Sequence, residues 1–139
     1  MLRITSKLLL LAVVLNGCVS GQLVGKIPPI ENDRFAIVHI VRPSGFAGCV
    51  GRITIQLDNM DLYYLACGEH LIIKVSAEKP VIVSETTSVV PDRFEFDPEV
   101  GKHYYFEHVC TVGACSLQKT NKYKFKKLVD GCKHIDLSS

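Results

Sequence analysis

From Arg34 onward the chain is a succession of short apolar runs, each broken by residues that favour turns. That rhythm restricts it to all-β architectures. Ile53, Ile55 and Leu57 alternate with Thr54 and Gln56, and Leu71, Ile73 and Val75 alternate with Ile72 and Lys74. A period of two places each apolar set on one face of a strand. Residues 35–41 form a continuous apolar run, suited to a strand covered on both faces. The breaks are Arg42-Pro43-Ser44-Gly45, Asp58-Asn59-Met60-Asp61, Cys67-Gly68, Glu78-Lys79-Pro80, Pro98-Glu99-Val100-Gly101 and Val112-Gly113-Ala114. Further strands are expected over residues 62–66 and 81–86, from Asp92 with Phe94 and Phe96 on one face, and over 102–110 and 117–128. Seven to eight strands, spaced roughly 8–12 residues apart, point to a single antiparallel β-sandwich. No segment carries a helical period, and the tail after Asp130 is short and polar.

The N-terminus is of a different kind. Arg3 and Lys7 precede an apolar run over residues 8–15, and a small residue, Gly17, follows. This is the layout of a secretory signal. The run is shorter than the roughly 20 apolar residues of a spanning helix. Leu15-Asn16-Gly17-Cys18 resembles the lipobox of bacterial lipoproteins. The resemblance implies that residues 1–17 are removed and that Cys18 receives a diacylglyceryl group and becomes the mature N-terminus. The acyl chains then hold the protein to a membrane at about 0.8 kcal/mol per buried methylene. Residues 18–33, with Gly21, Gly25, Pro28 and Pro29, read as the lipidated N-terminus and its tether, and residues 34–139 as the folded domain. The expected location is the bacterial cell envelope. Val19 stands where an Asp would signal retention, so the lipoprotein pattern of enteric-type bacteria implies the outer membrane, facing the periplasm.

Removal of the signal takes Arg3 and Lys7 but no acidic residue, which leaves equal numbers of basic and acidic residues. Nothing in that balance suggests a nucleic-acid partner. Cys18 is one of six cysteines; Cys49, Cys67, Cys110, Cys115 and Cys132 remain. An odd number leaves at least one outside any intrachain bridge. An envelope location permits disulfides. Cys110 and Cys115 flank a hairpin turn, within reach of each other. Pairing of residues 52–58 with 62–66 brings Cys67 opposite Arg52, close to Cys49. Cys110–Cys115 and Cys49–Cys67 are therefore the expected bridges, with Cys132 left over.

Arg42-Pro43-Ser44-Gly45, the strand ending Leu57-Asp58, Gly68 opening a strand, and Gly101-Lys102-His103-Tyr104-Tyr105 follow one another in order. Together they resemble the small bacterial lipoproteins grouped as a domain of unknown function (number 2846), over most of residues 35–128. The resemblance implies a compact antiparallel β-sandwich of prealbumin or immunoglobulin-like type, and no established activity. The chain departs from the pattern at Ala77-Glu78-Lys79-Pro80, where the group often has a Pro-Gly turn followed by His.

Chemistry-bearing constellations are sparse. His103, His108, Cys110 and Cys115 are zinc-type residues, but the Cys pair lacks a second closely spaced pair, and residues 103 and 108 fall on opposite faces of a strand. No metal or other cofactor is expected. No Gly-x-Ser-x-Gly elbow is present. His108 and Cys110 share a strand face, the one Cys–His dyad that can be drawn, and envelope thiols are usually bridged rather than nucleophilic. Glu95, Asp97, Glu99 and Glu107 read as solvated carboxylates, so no catalytic residues are assigned. Lys122-Tyr123-Lys124-Phe125-Lys126 alternates, placing Lys122, Lys124 and Lys126 on one face of the expected last strand. Edge lysines of that kind protect a sheet from aggregation, or they form a face for an anionic partner. The expected function is a non-catalytic binding or structural module, held to the membrane through the lipid on Cys18 and facing an envelope partner. The alternatives are an inhibitor of a secreted hydrolase, of the lysozyme-inhibitor kind, and an enzyme with an unrecognised site.

Overall fold

The computed structural model describes residues 20–45, 49, 51–86, 92–111 and 113–139. Cys18 and the signal segment lie outside them, as does Val112 of an expected turn. The described residues form an all-β sandwich of two five-stranded sheets with one short helix. One sheet has the order β1-β4-β3-β6-β7, from Gln22–Leu23, Met60–Leu65, Ile53–Leu57, Val81–Thr86 and Asp92–Phe96. The other has the order β10-β5-β2-β8-β9, from Lys133–Asp136, Glu69–Ser76, Phe35–Arg42, His103–Thr111 and Ala114–Thr120.

The alternation read from the sequence sets the core. Ala36, Val38, Ile40, Ile53, Ile55, Leu57, Leu71, Ile73, Val75, Val81, Val83 and Phe106 are all buried between the sheets. The hairpin joining β3 to β4 turns on Asp58 and Asn59, with φ of 50° and 65°. Two positive φ values in a two-residue loop match the twist of the flanking strands. A register shift between Ile55 and Gln56 moves the pairing, so Ile53 faces Leu65 and not Tyr64.

Three expectations are corrected. Among the described residues the strands number ten, and two pairings, β2 with β8 and β10 with β5, are parallel, so the second sheet is mixed rather than wholly antiparallel. Part of the stretch read as a tether is laid onto the sandwich. Gln22 and Leu23 pair with Tyr64 and Tyr63, and the amides of Val24 and Gly25 both donate to the Leu62 carbonyl. Glycine is required at 25, because a Cβ there would lie 1.9 Å from the Asp61 carbonyl oxygen.

The third correction concerns the lysine segment. The strand ends at Thr120, and Lys122–Leu128 is the helix α1. Asn121 caps it, its Oδ1 accepting from the Lys124 amide at 2.9 Å, and Lys126 and Lys127 sit in its last turn, where the helix dipole favours cations. A strand would have buried Tyr123 together with Phe125. The helix buries only Phe125, against the outer face of the second sheet, and leaves Tyr123 exposed. Asn121→Ala is expected to destabilise the protein by about 1 kcal/mol. Amide exchange at Lys124 and Phe125 should accelerate well before exchange in β2, and unchanged protection there would remove the cap from the account.

Candidate functional site

Among the described residues, polar groups enter the sandwich at one end only of its strands. Arg42, Glu69 and His108 continue the inward-facing series of β2, β5 and β8, and Glu85 continues that of β6 in the opposite sheet. All four are buried. Arg42 donates to the carbonyls of Gly51 at 2.8 Å and Leu65 at 2.9 Å. Burial lowers the pKa of its guanidinium, and the charges of Glu85 and Glu69 work against that. Glu69 accepts from the Ala66 and Gly21 amides, each at 2.9 Å. The Tyr63 phenol is pushed up to about 12, first by burial and then by the neighbouring Glu69.

Across the sheet interface, Glu85 Oε2 lies 2.9 Å from His108 Nδ1, with both side chains almost fully buried. The other ring nitrogen, Nε2, lies 3.2 Å from Cys110 Sγ. Cys110 is bonded to Cys115, its direct partner in the β8–β9 pairing. Cys49 is bonded to Cys67, and Cys132 is the free cysteine among the described residues. Burial, and then Asp130, raise the pKa of the Cys132 thiol. Both expected bridges are therefore present, and four of the cysteines are joined in pairs. His108, Cys110 and Cys115 place one ligand atom each within 4.8 Å of the others, the sole such trio among the described residues. While the two sulfurs are bonded to each other they offer no thiolate to a metal. His103 is not part of this group, since it points to the opposite face, as the spacing predicts.

A cleft of 210 Å³ opens beside Cys110, lined also by Pro43, Ser44, Gly45, His108 and Leu128. Its Pro43–Gly45 wall is held by the other disulfide. The Gly45 amide lies 3.2 Å from Cys49 Sγ, and Cys67 Sγ lies 3.4 Å from the Pro43 carbonyl oxygen. The two disulfides thus flank one cleft.

The outer face of the second sheet carries a different cluster. His134, His70, His39 and His103 come from the adjacent strands β10, β5, β2 and β8. Their ring nitrogens form a chain: His134 Nδ1 to His70 Nδ1 at 2.8 Å, His70 Nε2 to His39 Nδ1 at 3.0 Å, and His39 Nε2 to His103 Nδ1 at 2.8 Å. A neutral imidazole has one donor and one acceptor, so four neutral rings satisfy all three links when they point the same way. One added proton is also accommodated, with bonds running outward from the charged ring. A second forces two donors together. Phe125 and Tyr105 cover the middle rings, while His103 and His134 are exposed. His39 is brought down to about 4 by burial, then by His70 and His103, with Asp136 opposing. His70 is also brought down to about 4, by burial and then His134, again against Asp136.

The lysines of α1 do not share one face. Lys124 is turned back onto buried Glu107, in an ion pair, which also corrects the reading of Glu107 as solvated. Lys126 and Lys127 border an open hollow of 590 Å³ with Tyr123, Asp130 and His134. No family model, curated protein or solved structure matches the chain. Sequence reasoning missed Arg42, Glu69, Glu85, His39, His70 and His134. For the first three the signal was available, since each extends an apolar alternation by one more inward position.

Proposed function

We propose that the protein is a lipid-anchored module of a bacterial cell envelope, one that binds or supports an envelope partner without catalysing a reaction. The observation that carries this reading is the joining of Cys49 to Cys67 and Cys110 to Cys115. Disulfides of this kind belong to oxidising compartments, which is where the signal-like N-terminus would deliver the chain. Cys18 then stands apart as the cysteine that follows the apolar run, in the place of a lipobox cysteine. The ordered turn motifs that resemble those of the domain-of-unknown-function lipoproteins fit the same reading, as does the outer-membrane location expected from Val19. Among the described residues no helix is long and apolar enough to cross a membrane. For the partner, the exposed side of α1 offers Tyr123, 73% exposed, beside Lys126 and Lys127, a combination suited to an anionic surface.

Cys18→Ser tests the anchor. The wild-type chain is expected to partition with envelope membranes and to yield an N-terminal peptide that begins at an acylated Cys18. The variant is expected in the soluble envelope fraction or retained with its signal. An unmodified Cys18 in the membrane-associated wild type would overturn the reading.

A further inference from the structure

We propose that Cys110–Cys115 is a thiol-exchange site, in which His108, held by Glu85, accepts the proton of an incoming thiol and then stabilises the Cys110 thiolate. The inference goes beyond the anchored binding module and does not depend on it. Its basis is the line Glu85 Oε2–His108 Nδ1–His108 Nε2–Cys110 Sγ, with successive contacts of 2.9 and 3.2 Å. A disulfide that only staples a hairpin needs no imidazole beside one sulfur, and no fully buried carboxylate behind that imidazole. A leaving thiolate is stabilised by an adjacent imidazolium, and a better leaving thiolate departs faster. The carboxylate fixes the tautomer: with Nδ1–H donated to Glu85, Nε2 presents a lone pair towards the sulfur.

The substrate class is a dithiol, or two monothiols in succession, of a size to enter the cleft at Cys110. The first thiol gives its proton to His108 Nε2. Its sulfur attacks Cys115 Sγ, a new S–S bond forms there, and the Cys110–Cys115 bond breaks with its electron pair on Cys110. The imidazolium, flanked by Glu85, stays beside that thiolate. The second thiol then attacks the substrate sulfur of the mixed disulfide, its proton passing to the departing Cys115 thiolate. The proton on His108 passes to Cys110. The substrate leaves oxidised as a disulfide, and the protein is left as a dithiol that a further disulfide compound can reoxidise.

The protein carries its own control. Cys49–Cys67 flanks the same cleft, but among the described residues its sulfurs contact the Pro43 carbonyl and the Gly45 amide and no histidine. Reduced glutathione is added to the full chain, the reaction is quenched by alkylation at intervals, and each disulfide is followed by peptide mass spectrometry. Cys110–Cys115 is expected to open at least about tenfold faster than Cys49–Cys67. His108→Gln should remove most of that difference, and Glu85→Gln should reduce it. Since both disulfides meet the same thiolate concentration, the ratio of their rates cancels the titration of glutathione. Equal rates, or an unchanged Cys110–Cys115 advantage in a folded His108→Gln, overturns the proposal. If that variant does not fold, a Cys110–Cys115 advantage left undiminished by Glu85→Gln overturns it equally.

Discussion

Replacing Arg42 by Ala is expected to lower the unfolding free energy by about 3–5 kcal/mol, the scale on which a buried charge cluster fails when one partner is removed. Arg42 is 2% exposed, and the carboxylates whose charge it balances, Glu69 and Glu85, are 3% and 0% exposed. The truncation leaves those two in the sandwich interior without their cation. It also strips the Gly51 and Leu65 carbonyls of a donor. Urea unfolding with the disulfides intact measures the loss. Restoring neutrality separates charge from packing: Arg42→Met combined with Glu69→Gln and Glu85→Gln should recover a substantial part of it, because an apolar replacement of a whole buried ionic group is often close to neutral. A single Arg42→Ala that costs under about 1 kcal/mol would mean that water reaches the cluster.

Acid is expected to have a comparable effect through the histidine chain. His39 and His70 lie near 4 in the folded state, against 6.5 for the free side chain. Between those values the unfolded chain binds more protons than the folded one. The stability they supply is therefore complete above about pH 6.5, falls as the pH drops towards 4, and changes no further below it. The limit is about 1.4 kcal/mol per pH unit for each ring. Solvent around the exposed ends of the chain reduces this, and ~2–3 kcal/mol in total is expected between pH 7 and pH 4.5. The groups that face the rings do not reverse the direction. Asp136 favours the charged rings but is already counted among the causes, and its own pKa is lowered first by hydrogen bonds from Ser138 and then by Lys74. Unfolding curves of the wild type and of His39→Gln/His70→Gln across this range give the difference directly. If the double variant keeps the whole pH dependence, the carboxylates are responsible and the histidine chain is not.

Much of the candidate site was legible in the pattern that yields the fold. Ala36, Val38 and Ile40 predict an inward Arg42 by the same step of two that predicts the core, and Leu71, Ile73 and Val75 predict an inward Glu69. Val81 and Val83 do so for Glu85. Stopping each apolar series at its first charged residue concealed them. The Cys110–Cys115 bridge was legible because a hairpin is local, and Cys49–Cys67 because it closes on a second hairpin. The lysine segment misled for a physical reason. Five residues with alternating charge, 122–126, satisfy a strand period, but only Phe125 is buried, and one buried residue per two turns is all that a short helix needs.

What the sequence alone determined is which way each strand residue faces and where the chain turns, since both follow from a period of two and from residues next in line. Which strands become neighbours is another matter. His39, His70, His103 and His134 are up to 95 positions apart, and they form one chain of rings only because β2 lies parallel to β8 and β10 parallel to β5. Glu85 meets His108 only because the two sheets stack face to face. Such contacts depend on long-range pairing, which no local pattern encodes, and it is that pairing which turned scattered histidines and carboxylates into sites.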